Sequence, residues 1–456
     1  MTHHNSIKRK LGSLSLLASL VSFSITGFAQ QEVPATLAGH SILPVNSTVP
    51  APENAPSDLQ FSGKFTTGTR VDTLDSVEGK SADRPTGMHI PIKGQPLQGH
   101  SGIKRMADGT YWVLTDNGFG NKVNSPDSML YITQYDIDFK SGKTTPLKTV
   151  FFQDPNKIIP FHIINESTKE RYLTGSDFDP ESFQFADGAL WVGDEFGPYL
   201  IKMDLDGKVL ALFETQVDGK KVVSPDHFQV TTPGKPSDKV AFQVNRSKGF
   251  EGMASSPDGT KLYPMLEGAI WNDEKQDYEN VEGKRAARIL EFDVKKQDWT
   301  GRSWLYVFED NQNAIGDFNL IDDTHGLIIE RDNGEGTADK ACPESSSKTE
   351  NCFNNLAKFK RVYRIEFSDK NVGGAVDKQA YIDLMNIKDP ANNARKPLND
   401  GVFTFPFFTI ENVDVVDNEH IIVGNDNNYP FSSSREPNKA DDNEFILLKV
   451  PELLTP

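Results

Sequence analysis

The sequence predicts an all-β fold, a β-propeller, and three observations carry that prediction. Short strands with alternating apolar residues recur along the 456 residues, tight turns such as ADG and DG separate them, and one four-strand pattern returns in five copies. Long helical periodicity is missing, and stretches such as DPANNARK are short and broken by proline.

The clearest copy covers residues 181–214: ESFQF, the turn ADG, ALWVGDE, a Gly-Pro break, YLIKMDL, the turn DG, and KVLALFE. Before it stands SGIKRMADGTYWVLTDNG (101–118), followed by LYITQYDI and PLKTVFF. After it come EGMASSPDGTKLYPMLEG (251–268) with ARILEFDV and SWLYVFE, and DFNLIDDTHGLIIERDNG (317–334) with RVYRIEF. The last is ENVDVVDNEHIIVGNDNN (411–428) with EFILLKV. Copies lie roughly 65 to 95 residues apart, longer than compact propeller repeats, so loops are inserted between strands. One four-stranded sheet cannot cover both of its apolar faces, whereas radial packing of several sheets does, and closing the ring protects the edges. Five blades are recognisable, and the pattern leaves room for a sixth. The last copy lacks a fourth strand before the chain ends, so an N-terminal strand, LQFSGKF at 59–65, is expected to close the ring.

The expected organisation is a signal peptide over 1–29, a flexible linker over 30–57 and one propeller domain over 58–456. Lys8, Arg9 and Lys10 precede an apolar run from Leu11 to about Phe23, and small residues follow, which places cleavage after Ala29. The run is too short to span a bilayer, and no later segment offers ~20 apolar residues, so no membrane insertion is expected. An exported protein, periplasmic or secreted, follows. Residues 30–57 are rich in Pro, Ala, Ser and Thr and show no regular period.

Removing the leader takes the balance from 48 basic and 65 acidic side chains to 45 and 65, and the formal charge from −17 to about −20. Such a chain repels nucleic acid and anionic membrane surfaces. Its two cysteines, Cys342 and Cys352, are expected to form one local disulfide in an oxidising compartment.

Aligning the copies at the end of the second strand puts Asp116, Glu195, Glu267, Asp332 and Asp426 in one column, with Asp194 beside Glu195. A second column at the start of each inner strand holds Glu181, Glu251, Asp317 and Glu411, with Gly102 and nearby His100 in the first copy. Both columns are expected to converge on one mouth of the central channel. So many ionised carboxylates repel one another unless they are paired, and bound hard cations are the simplest remedy. Calcium suits carboxylate, Asn and backbone oxygens; zinc does not, because histidine is sparse and no HExxH or CxxC spacing occurs. The same acids also suit turn caps and blade-to-blade hydrogen bonds.

The stretches DPESFQFADGALWVGDEFGPYLIKMDLDGKVL, KGFEGMASSPDGTKLYPMLEG and VGNDNNYPFSSSR with DDNEFILL after it resemble the phytase-like family, "esterase-like activity of phytase", over about residues 99–450. The resemblance implies a propeller and, by the family's analogy to calcium-dependent phytases, phosphate held by clustered calcium ions. It points to an exported calcium-dependent phosphoesterase acting on a small-molecule phosphate ester. Glu195 and Glu181 are then candidates for metal ligand or water-orienting base. Asp116, Asp194, Glu251, Glu267, Asp332, Glu411 and Asp426 are candidate ligands, and Lys248, Arg331 and Arg435 candidate phosphate contacts.

Other templates fail. Gly99-His100-Ser101-Gly102 continues with Ile103, so no GxSxG elbow exists, and the P-loop, Cys-x5-Arg and RHG phosphatase motifs are absent. His100, His325 and His420 read as turn or core residues. Two other functions fit the same pattern: a metal-dependent propeller lactonase, and a non-catalytic propeller that binds a ligand or an exported protein.

Overall fold

The computed structural model describes Met1 and residues 30–235, 237–343 and 349–455. The leader and its cleavage point lie outside the described residues.

Near the start of the chain, after the two-residue strand Gln31–Glu32, strand β1 (Ala35–Leu43) belongs to the last blade. The first blade is β2 (His100–Arg105), β3 (Tyr111–Thr115), β4 (Tyr131–Asp138) and β5 (Lys143–Phe151). The second is β6 (Pro180–Ala186), β7 (Ala189–Asp194), β8 (Tyr199–Met203) and β9 (Val209–Glu214). The third is β10 (Phe250–Ser255), β11 (Lys261–Leu266), β12 (Lys284–Asp293) and β13 (Asp298–Val307). The fourth is β14 (Ala314–Leu320), β15 (His325–Arg331), β16 (Lys360–Glu366) and β17 (Asp377–Asp383). The fifth is β18 (Thr409–Val415), β19 (His420–Asp426) and β20 (Asn443–Lys449), completed by β1. Among the described residues the propeller therefore has five blades, and the inner strands β2, β6, β10, β14 and β18 touch in a closed cycle.

An N-terminal strand closes the ring, as expected, but it is not the expected segment. Strand β1 runs antiparallel to β20, with His40 opposite Ile446 and Ser41 opposite Phe445. Part of the stretch read as a linker thus supplies the closing strand. LQFSGKF contributes only Phe61–Ser62, paired with Ile92–Lys93 outside the blades. The fastening is polar as well as apolar: His40 meets the Glu444 carboxylate at 3.1 Å, and Arg435 donates to the same group at 2.6 and 2.8 Å. Alternate residues of each strand go to the two neighbouring blades. Leu114, Ile132 and Val150 of the first blade pack on Phe183, Leu190 and Val192 of the second, and Val362 and Ile382 of the fourth on Val413 and Ile446 of the fifth.

The channel is filled below its acidic mouth. The Asn319 amide of β14 donates to the carbonyls of Ile103 (3.3 Å) and Val413 (2.8 Å) and accepts from Gln184 (2.8 Å), which also donates to Met253 O at 2.6 Å. Two amides thereby tie the inner strands of all five blades. Cys342 and Cys352 form the expected disulfide. No helix among the described residues is long and apolar enough to cross a membrane.

Candidate metal centre at the channel mouth

A β-bulge at the start of each inner strand builds the site. In the second blade Pro180 pairs with Asp194 and Ser182 with Gly193, which leaves Glu181 without a partner. Glu251 is skipped in the same way between Phe250 and Gly252, and Glu411 between Ile410 and Asn412. A bulge re-aims the extra residue, and these three carboxylates meet: one oxygen from each lies within 4.8 Å of the other two. The fourth blade has its irregularity between Ile315 and Phe318. Asp317 there accepts N–H bonds from Phe318 (2.7 Å) and Val413 (2.8 Å), so it seals the channel wall and stays out of the cluster. In the first blade Ser101 takes the place of an acid and donates to Glu411 at 3.2 Å.

The second column divides by side-chain length. Asp116, Asp332 and Asp426 each accept the N–H two residues on, from Gly118 (2.7 Å), Gly334 (3.0 Å) and Asn428 (2.6 Å). A short carboxylate folds onto its own turn in this way. Glu195 and Glu267 have one more methylene and reach past the turn to Glu251, with which they form a second group. The third group is Asp179, Glu181 and Glu195. Gly249 lets the second and third blades approach closely here, since a Cβ on it would collide with the backbone of Glu195.

Several candidates from the sequence lie elsewhere or have other duties. Asp194 accepts the N–H groups of Asp179 (2.8 Å) and Gly197 (2.7 Å) and fixes the turn. Asp332 is bound by Lys360 at 3.0 Å and by the N–H groups of Lys358 and Phe359, away from the cluster. Arg435 is held by Glu444 and sits over Phe403 and Phe407, so it staples the closing blade. His100 is buried against Tyr135 and Phe445, and burial lowers its pKa to about 3. Lys248 and Arg331 do reach the mouth: Lys248 pairs with Glu267, and Arg331 with Glu411 at 3.1 Å. Asp179 escaped the sequence reading because it precedes the strand; the DPE triplet was the available signal.

Electrostatics mark the cluster as incomplete. Burial first, then the neighbouring carboxylates, pushes Glu181, Glu195 and Glu251 well above the ordinary carboxylate range. Asp116 and Glu411 are raised to about 7 and Asp179 to about 6, burial again leading. One oxygen each of Glu195 and Asp179 is buried without a hydrogen-bond partner, a costly state that a cation relieves. All the ligand atoms are carboxylate oxygens, the donor set of a hard cation. The oxygens of each group lie within 4.8 Å of one another, close enough to share one ion. Beside the cluster opens a cavity of about 340 Å³ lined by Lys248, Glu267, Arg285, Arg331, Asn333 and Phe408 among others.

The family model described as phytase-like, "esterase-like activity of phytase", matches residues 95–429. The chain belongs to the phytase-like family. The matched span of this phytase-like protein includes the bulged glutamates, Asp179, Glu195 and both cationic residues of the mouth. An uncharacterized secreted protein of Arthroderma benhamiae is 33% identical over 119 residues, 24% of this chain and 22% of that one. The chain thus spans about a fifth of that relative's length. Among solved structures, a calcium-binding protein, regucalcin, of Agrobacterium tumefaciens has a TM-score of 0.34 at 14% identity, covering 78% of this chain and 92% of that one. A luciferin-regenerating enzyme has a TM-score of 0.35 at 12% identity over 90% of this chain and 96% of the other. At such TM-scores neither likeness bears on what the phytase-like chain binds.

Proposed function

We propose that the protein is an exported, calcium-dependent phosphoesterase acting on a small-molecule phosphate ester. The observation that carries this reading is the fusion of three carboxylate groups through Glu181, Glu195 and Glu251, beside a cavity whose lining includes Lys248, Arg285 and Arg331. Family membership supports the class of reaction. The leader pattern in the sequence and the secreted relative support export.

In this reading Glu251, Glu267, Glu195, Glu181, Asp179 and Glu411 hold the cation or cations. Bound calcium would supply the positive charge that lets a protein of formal charge about −20 without its leader accept a phosphomonoester. The chain's own residues do the rest. Arg331, pinned over the Phe408 ring at 5.7 Å, presents a fixed guanidinium to phosphate oxygens, and Lys248 adds a movable charge. Of Glu181 and Glu195, the one with a free oxygen takes the proton of the attacking water. The bulge and the Asp194 turn hold these two side chains against drift.

The test is turnover of nitrophenyl phosphate, phytate, carboxylic esters and lactones, with calcium and with chelator. Calcium-dependent release of phosphate from one of the phosphate esters is the expected result. Turnover of lactones alone, or of nothing, would replace this reading with a lactonase or a binding propeller.

A further inference from the structure

The strongest feature left over is a competition for one carboxylate. Glu267 belongs to the group Glu195–Glu251–Glu267, yet its partner in this structure is the Lys248 ammonium. The pairing is built in by the backbone: Gly268 N–H donates to Lys248 O at 3.0 Å, and Glu267 N–H donates to Gly249 O at 2.8 Å. Gly268 permits that approach, since a Cβ on it would lie 2.7 Å from Lys248 Cβ. Arg331 stands in the same relation to Glu411 but is only 5% exposed and lies over Phe408. Lys248 differs, because its side chain is 43% exposed and borders the open cavity. Within the cluster the Glu195 oxygen buried without a partner shows that the resident cationic side chains leave part of the site unsatisfied.

Resting on the metal-site reading above, we propose that Lys248 is an exchangeable counter-ion: it holds Glu267 until a divalent cation takes that carboxylate, then swings into the cavity and joins Arg331 and Arg285 as an anion site. A substrate phosphate would therefore meet its full set of cationic side chains only after the metal is bound. Arg285 is available for this role; it lies over Tyr278 at 4.7 Å and has no ion-pair partner among the described residues. The arrangement couples the two ligands, each raising the affinity of the other by the same factor. Direct metal–phosphate contact would give that sign of coupling too, so the distinguishing signature lies in Lys248 itself. Removing its charge takes a competitor away from the metal and a contact away from the anion, so the two affinities move in opposite directions.

The experiment is calorimetric titration, at pH 8, of chelator-stripped wild type and Lys248→Met with calcium alone, and of the calcium-saturated proteins with inorganic phosphate. Lys248→Gln serves as a second variant, and melting curves check folding. Calcium is expected to bind at least fivefold more tightly to the variants, and phosphate at least fivefold more weakly. Unchanged or weaker calcium binding, or unchanged phosphate binding, overturns the exchange. If wild type takes up no calcium at all, the metal-site reading falls first, and the two failures are told apart.

Discussion

Asp194 and Glu195 leave the end of one strand side by side and have opposite duties. Both oxygens of Asp194 accept backbone N–H bonds, from Asp179 and Gly197, while Glu195 keeps a buried oxygen with no partner. The first residue makes the corner rigid, and the second projects from it into the carboxylate cluster.

Substitution separates the two. Glu195→Gln keeps the shape and removes the charge, so the fold should survive while calcium affinity or turnover falls at least tenfold. Rescue of turnover by excess calcium marks a ligand; lack of rescue with intact calcium binding marks a base. Asp194→Ala should instead lower stability by about 2–3 kcal/mol, because two buried N–H groups lose their acceptor. A Glu195→Gln protein that binds calcium and works like its parent removes Glu195 from the proposed site.

Stability of the metal-free protein should fall as pH rises. Asp179 near 6 and Asp116 and Glu411 near 7 are raised above the ordinary values of about 4 found in an unfolded chain. The folded state therefore binds more protons than the unfolded one, and its advantage, complete below about pH 4, is lost as pH passes through 6 to 7. Chelated protein is expected to melt at a lower temperature at pH 8 than at pH 5. Calcium should restore most at pH 8. A melting temperature that rises over this interval without metal would contradict burial and mutual repulsion as the cause of the raised pKa values.

Asp332 provides the control within the same sequence column. Its charge serves Lys360, which is fully buried, donates to the carbonyls of Asp332 and Gly334, and has its pKa lowered by burial to about 7. Asp332→Asn should destabilise the fold by about 3 kcal/mol and leave calcium affinity within twofold. Titration calorimetry and denaturant melts read the two effects separately.

The amide plug gives a second control. Asn319→Ala removes two donated and two accepted hydrogen bonds shared by the inner strands of several blades. A loss of about 3 kcal/mol is expected, again without loss of a metal ligand.

Blades were legible in the sequence because their signals are local: turn pairs such as Asp187-Gly188 and short apolar runs such as 189–192 lie within a few residues of one another. That an N-terminal strand closes the ring was legible too, but which strand was not. Strand β1 reads ATLAGHSIL, with few large β-formers, and its partner Asn443–Lys449 lies some four hundred residues away in the chain. The acidic columns were likewise visible as residue types, yet which acids turn inward depends on bulges, and a bulge exists only in a pairing register. One usable signal went unread. Where the column holds Asp it caps its own turn, and where it holds Glu the carboxylate enters the cluster, as Asp332 and Glu267 show.

The most direct measurement is the thermal midpoint of chelator-stripped protein with and without millimolar calcium at pH 8. If the buried carboxylate groups around Glu251 hold the ion only in the folded chain, calcium at ~100 times its dissociation constant adds about 2.7 kcal/mol per independent site, and the midpoint rises by several degrees. Identical midpoints in chelator and in calcium would mean that the mouth of the channel is a ring of protonated and capped acids and holds no cation.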